Sequence, residues 1–219
     1  MLRLWWAFVR FFFRLLYNEL AWTYDLVAWA VSLGQWRAWG RTALGHLRGK
    51  RVLELAHGPG HLQEAMAEQA MSPVGLDLSP HMGRLAQRRL RKKRLTVPLV
   101  RARAQALPFR DECFDSAIAS FPTDFILYPA TLQEAARVMR TDGRLVVVAW
   151  AGLGGRDAIS RFIGWLYQVT GQGKPPPDAG KKVAAQAGLT SHVVWEQVGR
   201  SKVMLTVAQK QTLKVSRNL

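Results

Sequence analysis

The residues with the clearest chemical potential sit in Arg51–His61, R-V-L-E-L-A-H-G-P-G-H. An apolar run (Val52, Leu53, Leu55) carries one acid, Glu54, then breaks at Gly58-Pro59-Gly60 into a helical pattern that opens with Leu62, Ala65 and Met66. That order reads as a buried strand, a tight turn and a helix start. Glycines at such a turn let the backbone approach a ligand, and the helix N-terminus offers unpaired N–H groups. A short glycine loop also occurs where the chain merely turns. The next segment, Pro73–Ser79 (P-V-G-L-D-L-S), reads as a second strand ending in Asp77. An acid about twenty residues past the loop can reach the hydroxyls of a bound ribose. A plainer reading has Asp77 or Ser79 capping the helix that contains Met82 and Leu85.

Two later segments extend the pattern: A-L-P-F-R-D-E-C-F-D from Ala106 and E-A-A-R-V-M-R-T-D-G-R-L-V-V-V from Glu134. From about Arg51 to Trp150, the four segments resemble in order and spacing the class I S-adenosylmethionine (SAM)-dependent methyltransferases. Within that class the chain is methyltransferase type 11-like, similar to the ubiquinone/menaquinone-biosynthesis C-methyltransferases. The resemblance implies an α/β, Rossmann-like fold with a seven-stranded, mostly parallel sheet. It implies SAM over the carboxyl edge, with S-adenosylhomocysteine as product. Glu54, Ala56, Gly58 and Gly60 would then surround the methionine part, with His57 in the same loop. Asp77 would hold the ribose, Ala104 and Gln105 would meet the adenine, and Leu78 and Ser120 would complete the cofactor set.

The chain departs from the family pattern at three places. Ala56 stands where the commonest form has its first glycine, a change the quinone methyltransferases tolerate. Arg103 stands where the family has an acid that contacts the adenine amino group. The loop after the fourth strand, Phe121–Pro129, differs from that of the quinone methyltransferases. In the family this loop faces the transferred methyl. Its polar groups Thr123, Asp124 and Tyr128 can orient or deprotonate an acceptor, while Asp124 can instead cap the next turn. Upstream, Y-D-L, S-L-G and W-R-x-W-x-R between Tyr24 and Arg41 are similar to the segment that shapes the acceptor pocket in the quinone enzymes. Tyr17 and Tyr24 are its candidate contacts, each with a polar handle on an apolar body. The catalytic candidates are Asp124, Tyr128 and Tyr24.

The chain has 219 residues with formal net charge +16. Such an excess of cations points to a polyanionic partner, either nucleic acid or an anionic membrane surface. Residues 1–20 place Arg3, Arg10 and Arg14 on one stripe of a helix otherwise built of Leu, Trp, Phe and Val. No apolar run there approaches the roughly 20 residues that span a bilayer. A helix of this kind suits the membrane interface; packing against another protein, including a second copy in a homodimer, competes with that. Asn18, Glu19 and Asp25 argue against a signal peptide. Met82–Arg94 is strongly basic but has no interleaved aromatics, hence no stacking platform for single strands. No nucleic-acid module is visible, so anionic lipid is the expected partner. Cys113 is the only cysteine, which precludes an internal disulfide, and no metal-ligand cluster stands out.

The elements expected around these residues are a membrane-interfacial helix over 1–20, a helical cap over 21–48 and a SAM-binding domain over 49–210. Strands are expected at Val97–Val100, Phe114–Ser120 and Arg144–Trp150, with Thr141-Asp142-Gly143 as a turn. Helices are expected at Thr131–Met139, Arg156–Val169 and Lys181–Gly188, with two terminal strands at the sheet edge. The function expected is methyl transfer to a lipophilic small molecule or lipid head group at a membrane surface, by a cytoplasmic, peripherally membrane-associated enzyme. An RNA or protein methyltransferase, or a non-catalytic SAM-fold membrane-binding protein, are the alternatives.

Overall fold

Alternating apolar strands and amphipathic helices of this kind must bury a sheet between two helical layers. The computed structural model describes residues 23–155, 158–170, 173–176 and 180–211. The helix expected over residues 1–20, with Tyr17, lies outside them. Helices α1 (Tyr24–Ser32) and α2 (Trp36–Arg41) and a 3-10 turn (Thr42–His46) lead into β1 (Arg51–Leu55). Next come α3 (His61–Glu68), β2 (Ser72–Asp77), α4 (Pro80–Lys92), β3 (Leu99–Arg101) and β4 (Phe114–Ser120). A 3-10 turn (Asp124–Leu127) precedes α5 (Pro129–Val138) and β5 (Met139–Gly152). The last described elements are α6 (Ala158–Val169), α7 (Lys181–Gln186), β6 (Leu189–Val198) and β7 (Ser201–Lys210).

The strands form one seven-stranded sheet in the order β3-β2-β1-β4-β5-β7-β6. β1 pairs in parallel with β2 (Leu53↔Val74) and with β4 (Leu53↔Ala117). Only β7 runs against its neighbours, with Val146↔Val207 on β5 and Val193↔Thr206 on β6. The strand order reverses at β1 and β4, whose carboxyl ends open the crevice where open α/β sheets bind ligands.

The expected turn at Thr141–Gly143 is instead part of β5. Pairing with β4 steps from Phe114↔Met139 to Ser116↔Arg144. The extra residues bulge out, with Asp142 at φ 63°. Turn-forming residues here serve a bulge inside a strand.

Apolar side chains fill both faces of the sheet. On one face Leu53, Leu55, Ala117, Leu132, Val138 and Leu145 pack with α5 and α7. On the other, Trp39, Ala43 and Leu44 pack with Leu62, Met66, Ile118 and Val148. The segment before β1 is therefore anchored in the core through Trp39, which is fully buried. Its indole N–H has no hydrogen-bond partner among the described residues. Truncating such a side chain removes transfer energy and leaves a cavity. Trp39→Ala is expected to lower unfolding free energy in urea by about 3–5 kcal/mol. Trp39→Phe loses no hydrogen bond and is expected to lower it by less than about 1.5 kcal/mol.

Candidate functional site

The loop after β1 turns through three left-handed residues, Ala56 (φ 55°), Gly58 (φ 52°) and Gly60 (φ 82°). The two glycines answer to different constraints. A Cβ on Gly60 would lie 2.8 Å from the Cβ of Ala86, so this glycine lets α3 approach α4. A Cβ on Gly58 would meet nothing within 4 Å. It would project into open space, as expected where a ligand comes close. Ala56 takes the same backbone region with a side chain, a strained choice beside a crevice.

Asp77, at the end of β2, holds this loop. Its carboxylate accepts hydrogen bonds from the Gly58 N–H (2.9 Å) and from the Ser79 N–H (2.8 Å). The His57 N–H donates to the Leu76 carbonyl at 3.1 Å. The imidazole Nδ1–H of His57 donates to the Gly58 carbonyl at 2.7 Å, so this ring braces the loop from within. Ser79, not Asp77, caps α4: its hydroxyl accepts from the Met82 N–H at 3.3 Å, and Pro80 follows at the first helical position. Each Asp77 oxygen keeps a further lone pair for another donor.

Glu54 is buried beneath the loop and accepts from Gln63 Nε2 at 2.7 Å. Burial pushes its carboxyl up to about 8, against the opposing hydrogen bond and with help from the nearby Asp77 charge. Oε1 of Gln63 is buried without a hydrogen-bond partner among the described residues.

Two adjoining cavities open around Gly58. The larger, about 410 Å³, is lined on one side by Asp77, Leu78, Ser79 and Met82 and on another by Ala102, Arg103, Ala104 and Gln105. Its remaining wall is Phe121, Pro122, Thr123 and Phe125. The smaller, about 230 Å³, includes Glu54, His57, Trp36, Arg37, Arg41 and Lys93. Tyr24, Ala56, Gly58, Ser120 and Phe121 line both. Ten of the thirteen catalytic and cofactor-binding candidates thus lie on this crevice; Gly60, Asp124 and Tyr128 do not. Gly60 serves packing. Asp124 opens the 3-10 turn and is exposed, and Tyr128 stands half exposed just before α5.

Helix α1 is fastened to the loop by charge. Asp25 on α1 accepts from His61 Nε2 (2.8 Å) and from an Arg89 terminal nitrogen (2.6 Å). Arg89 Nε donates to the Pro59 carbonyl at 2.8 Å. The His61 hydrogen bond, with the Arg89 charge, holds the Asp25 carboxyl down at about 2 despite partial burial. Burial pushes His61 below its ordinary value, so near pH 7 it is a neutral donor and Arg89 is the cation of the trio. Arg37 lies 3.9 Å from the same carboxylate, with most of its side chain exposed. By contrast Arg41 and Lys93 already meet Glu68 and Glu64 at 3.2 and 3.1 Å.

An aromatic contact closes the other side. Phe121 takes the left-handed region (φ 47°) and lies 4.2 Å from Trp36, centroid to centroid. Sequence reasoning passed over Arg37, Trp36 and Phe121 as site residues. For Arg37 the available signal was a cation between two tryptophans in W-R-x-W. For Phe121 the signal was its place in the loop after β4, but not its orientation, which depends on a positive φ that a phenylalanine does not announce.

Comparison with known proteins agrees with this arrangement. Residues 52–143 match a family model described as a methyltransferase domain. The demethylmenaquinone methyltransferase of Thermobifida fusca is 30% identical over 221 residues, covering 90% of this chain and 93% of that protein. The Renibacterium salmoninarum demethylmenaquinone methyltransferase is 34% identical over 140 residues, 62% of this chain and 57% of the relative. In that relative, and in one from Thermus thermophilus (63%), the match spans about three fifths of the protein's length. Among solved structures, geranyl diphosphate C-methyltransferase from Streptomyces coelicolor, in complex with Mg2+, geranyl diphosphate and S-adenosylhomocysteine, has a TM-score of 0.60 at 14% identity. That alignment covers 79% of this chain and 78% of the other. The chain belongs to the class I SAM-dependent methyltransferases, and its fold is theirs.

Two outcomes test the site. Because Glu54 is held protonated in the fold, stability is lost as pH rises from 4.5 towards 8, by on the order of 2–4 kcal/mol. Glu54→Gln should remove that loss, raising the melting temperature at pH 8 and leaving it unchanged at pH 4.5. Gly58→Ala should lower stability by only roughly 1–2 kcal/mol yet abolish stabilisation by S-adenosylhomocysteine. Gly60→Ala, which adds a clash to the same strain, should destabilise the fold more in calorimetry.

Proposed function

We propose that a helical cap (residues 21–48) and a SAM-binding domain (49–210) together transfer a methyl group to a lipophilic small molecule, foremost a quinone-type aromatic, at a membrane surface. The observation that carries this reading is the Asp77-braced glycine loop, opening on a crevice whose far wall is apolar. The demethylmenaquinone methyltransferases among the relatives support the acceptor class. Among the described residues no helix is long and apolar enough to cross a membrane, and no group of three or more His, Cys, Asp or Glu could hold a metal.

The residues present suit the cofactor. The space before Gly58 admits a ligand against the backbone. Free lone pairs on Asp77 suit a vicinal diol, and Leu78, Met82, Ala102 and Phe125 offer apolar walls to a base. Ala104 and Gln105 stand at that end, with exposed Arg103 at the rim in place of the family's acid. Glu54, Ala56, His57 and Ser120 surround the other end. There, among the described residues that line the cavity, Arg37 has only a 3.9 Å ion pair and is the cation available to a carboxylate.

When bound, SAM supplies a methyl group on a sulfonium for in-line displacement. The protein's part is to align the acceptor and exclude water. Tyr24 reaches both cavities from the first residue of α1 and orients a phenolic or quinol hydroxyl. Phe121 and Trp36, packed on each other, offer one aromatic wall to an acceptor ring. Asp124 and Tyr128, outside both cavities, have no part in this arrangement.

Thermal unfolding with S-adenosylhomocysteine tests the reading. Ligand at a hundredfold over Kd should add about 2.7 kcal/mol; no rise in melting temperature would remove the methyltransferase function. Arg37→Ala should weaken that ligand roughly ten- to a hundredfold without changing the ligand-free melting temperature. Methyl incorporation from labelled SAM should favour prenylated quinols over RNA or protein; incorporation into RNA alone would overturn the acceptor class.

A further inference from the structure

We infer that the outward faces of α1 and α6 form one docking surface for an anionic phospholipid bilayer; this rests on the methyltransferase reading above and names the face it would use. On α1, Leu26, Trp29 and Leu33 follow at i, i+3 and i+7, and are 67%, 61% and 44% exposed. Leu26 and Trp29 share one stripe of the helix, and Leu33 follows at its left-handed end. On α6, Ser160 and Ile163 are buried while Ile159, Phe162 and Trp165 are 60%, 60% and 55% exposed. The Phe162 and Trp165 rings stack with centroids 5.8 Å apart. The Tyr167 hydroxyl donates to the Val31 carbonyl at 2.7 Å. That bond joins the two helices through the inward side of α6, with both apolar stripes left facing solvent. Exposed apolar groups clustered this way mark a contact surface.

The backbone adds a second sign. Leu33 sits in the left-handed region (φ 50°), its N–H donating to the Trp29 carbonyl. Glycine or asparagine takes such a helix-ending position most readily. A leucine there keeps an exposed apolar group at the end of the stripe.

Charge selects the occupant. The Asp25–Arg89 ion pair sets α1 against α4. The solvent side of α4 exposes Arg84, Arg88, Arg91 and Lys92, none paired with a carboxylate among the described residues. Arg161 is exposed on α6 between Ile159 and Phe162. Two copies of this face would bring like charges together, whereas anionic head groups complement them. Tryptophan and phenylalanine beside cations are the composition of an interfacial contact. Residues 1–22, which carry Arg3, Arg10 and Arg14 among Leu, Trp and Phe, join the chain at Thr23, immediately before α1. Tyr24, on the same helix, lines both cavities. A lipid-tailed acceptor would thus pass from the bilayer to the crevice along a single helix.

Flotation of the full chain with phosphatidylcholine vesicles, with and without one quarter phosphatidylglycerol, tests this. Wild type should float with the anionic vesicles and be released by 0.5 M salt. The triple variant Trp29→Ser/Phe162→Ser/Trp165→Ser should bind at least tenfold more weakly, with its melting temperature and its stabilisation by S-adenosylhomocysteine unchanged. Undiminished binding of this variant would overturn the inference. So would a change in its light-scattering mass from dimer to monomer with vesicle binding intact, which would make the face a subunit contact. A nitrobenzoxadiazole probe on Phe162→Cys, in a Cys113→Ser background, should shift to the blue on anionic vesicles, and one on Arg110→Cys should not. No shift at position 162 would overturn the inference even if other residues bind lipid. Failure of S-adenosylhomocysteine to stabilise wild type would defeat the methyltransferase reading alone, leaving the vesicle result to stand by itself.

Discussion

The Asp77 carboxylate, shared between two backbone N–H groups, is the constraint on which the crevice depends. By accepting from Gly58 and Ser79 it fixes the glycine loop relative to the start of α4. The loop contains strained residues that would otherwise relax, Ala56 above all. A carboxylate accepting backbone N–H groups is a strong, charge-assisted brace. It costs nothing in ligand capacity, because each oxygen retains a free lone pair. The carboxyl edges of β1 and β2 are therefore set before any ligand arrives, and the ligand meets a shape that needs little reorganisation.

The segments most legible in the sequence are largely scaffold. Arg137 donates to Glu134, to Asp111 and to the carbonyls of Leu107 and Phe109, while Glu134 accepts from the Leu107 N–H. E-A-A-R and A-L-P-F-R-D are thus two halves of one clamp between α5 and the loop before β4. Asp115 accepts from the Lys50 and Arg51 N–H groups, which fixes the start of β1. Their spacing could be read because a clamp needs set residue types at set distances. The strands could be read because burial demands apolar runs, and β4 falls at Phe114–Ser120 as expected. The bulge in β5 could not, since Thr141-Asp142-Gly143 has the composition of a turn and only pairing with β4 absorbs it into a strand.

The side of the crevice opposite Asp77 was less legible, for a physical reason. Its walls come from α1, α2 and the Phe121–Phe125 loop, which meet only through long-range contacts. Asp124 and Tyr128 have suitable chemistry, but the left-handed turn at Phe121 and the burial of Ile126 in the following 3-10 turn send both outside the cavities. The same turn brings Phe121 against Trp36. Pocket residues chosen for their polar groups alone miss walls built of rings.

The Asp25–Arg89–Pro59 chain has a thermodynamic corollary. One side chain, Arg89, grips both α1 and the glycine loop, so the position of α1 and the shape of the loop are linked variables. Linkage is reciprocal. Whatever free energy a ligand at the loop contributes to seating the cap, a contact that seats the cap must return to the affinity of the loop. A lipid surface pressing on α1 and a nucleoside in the crevice would then sense one another through a single guanidinium, without touching.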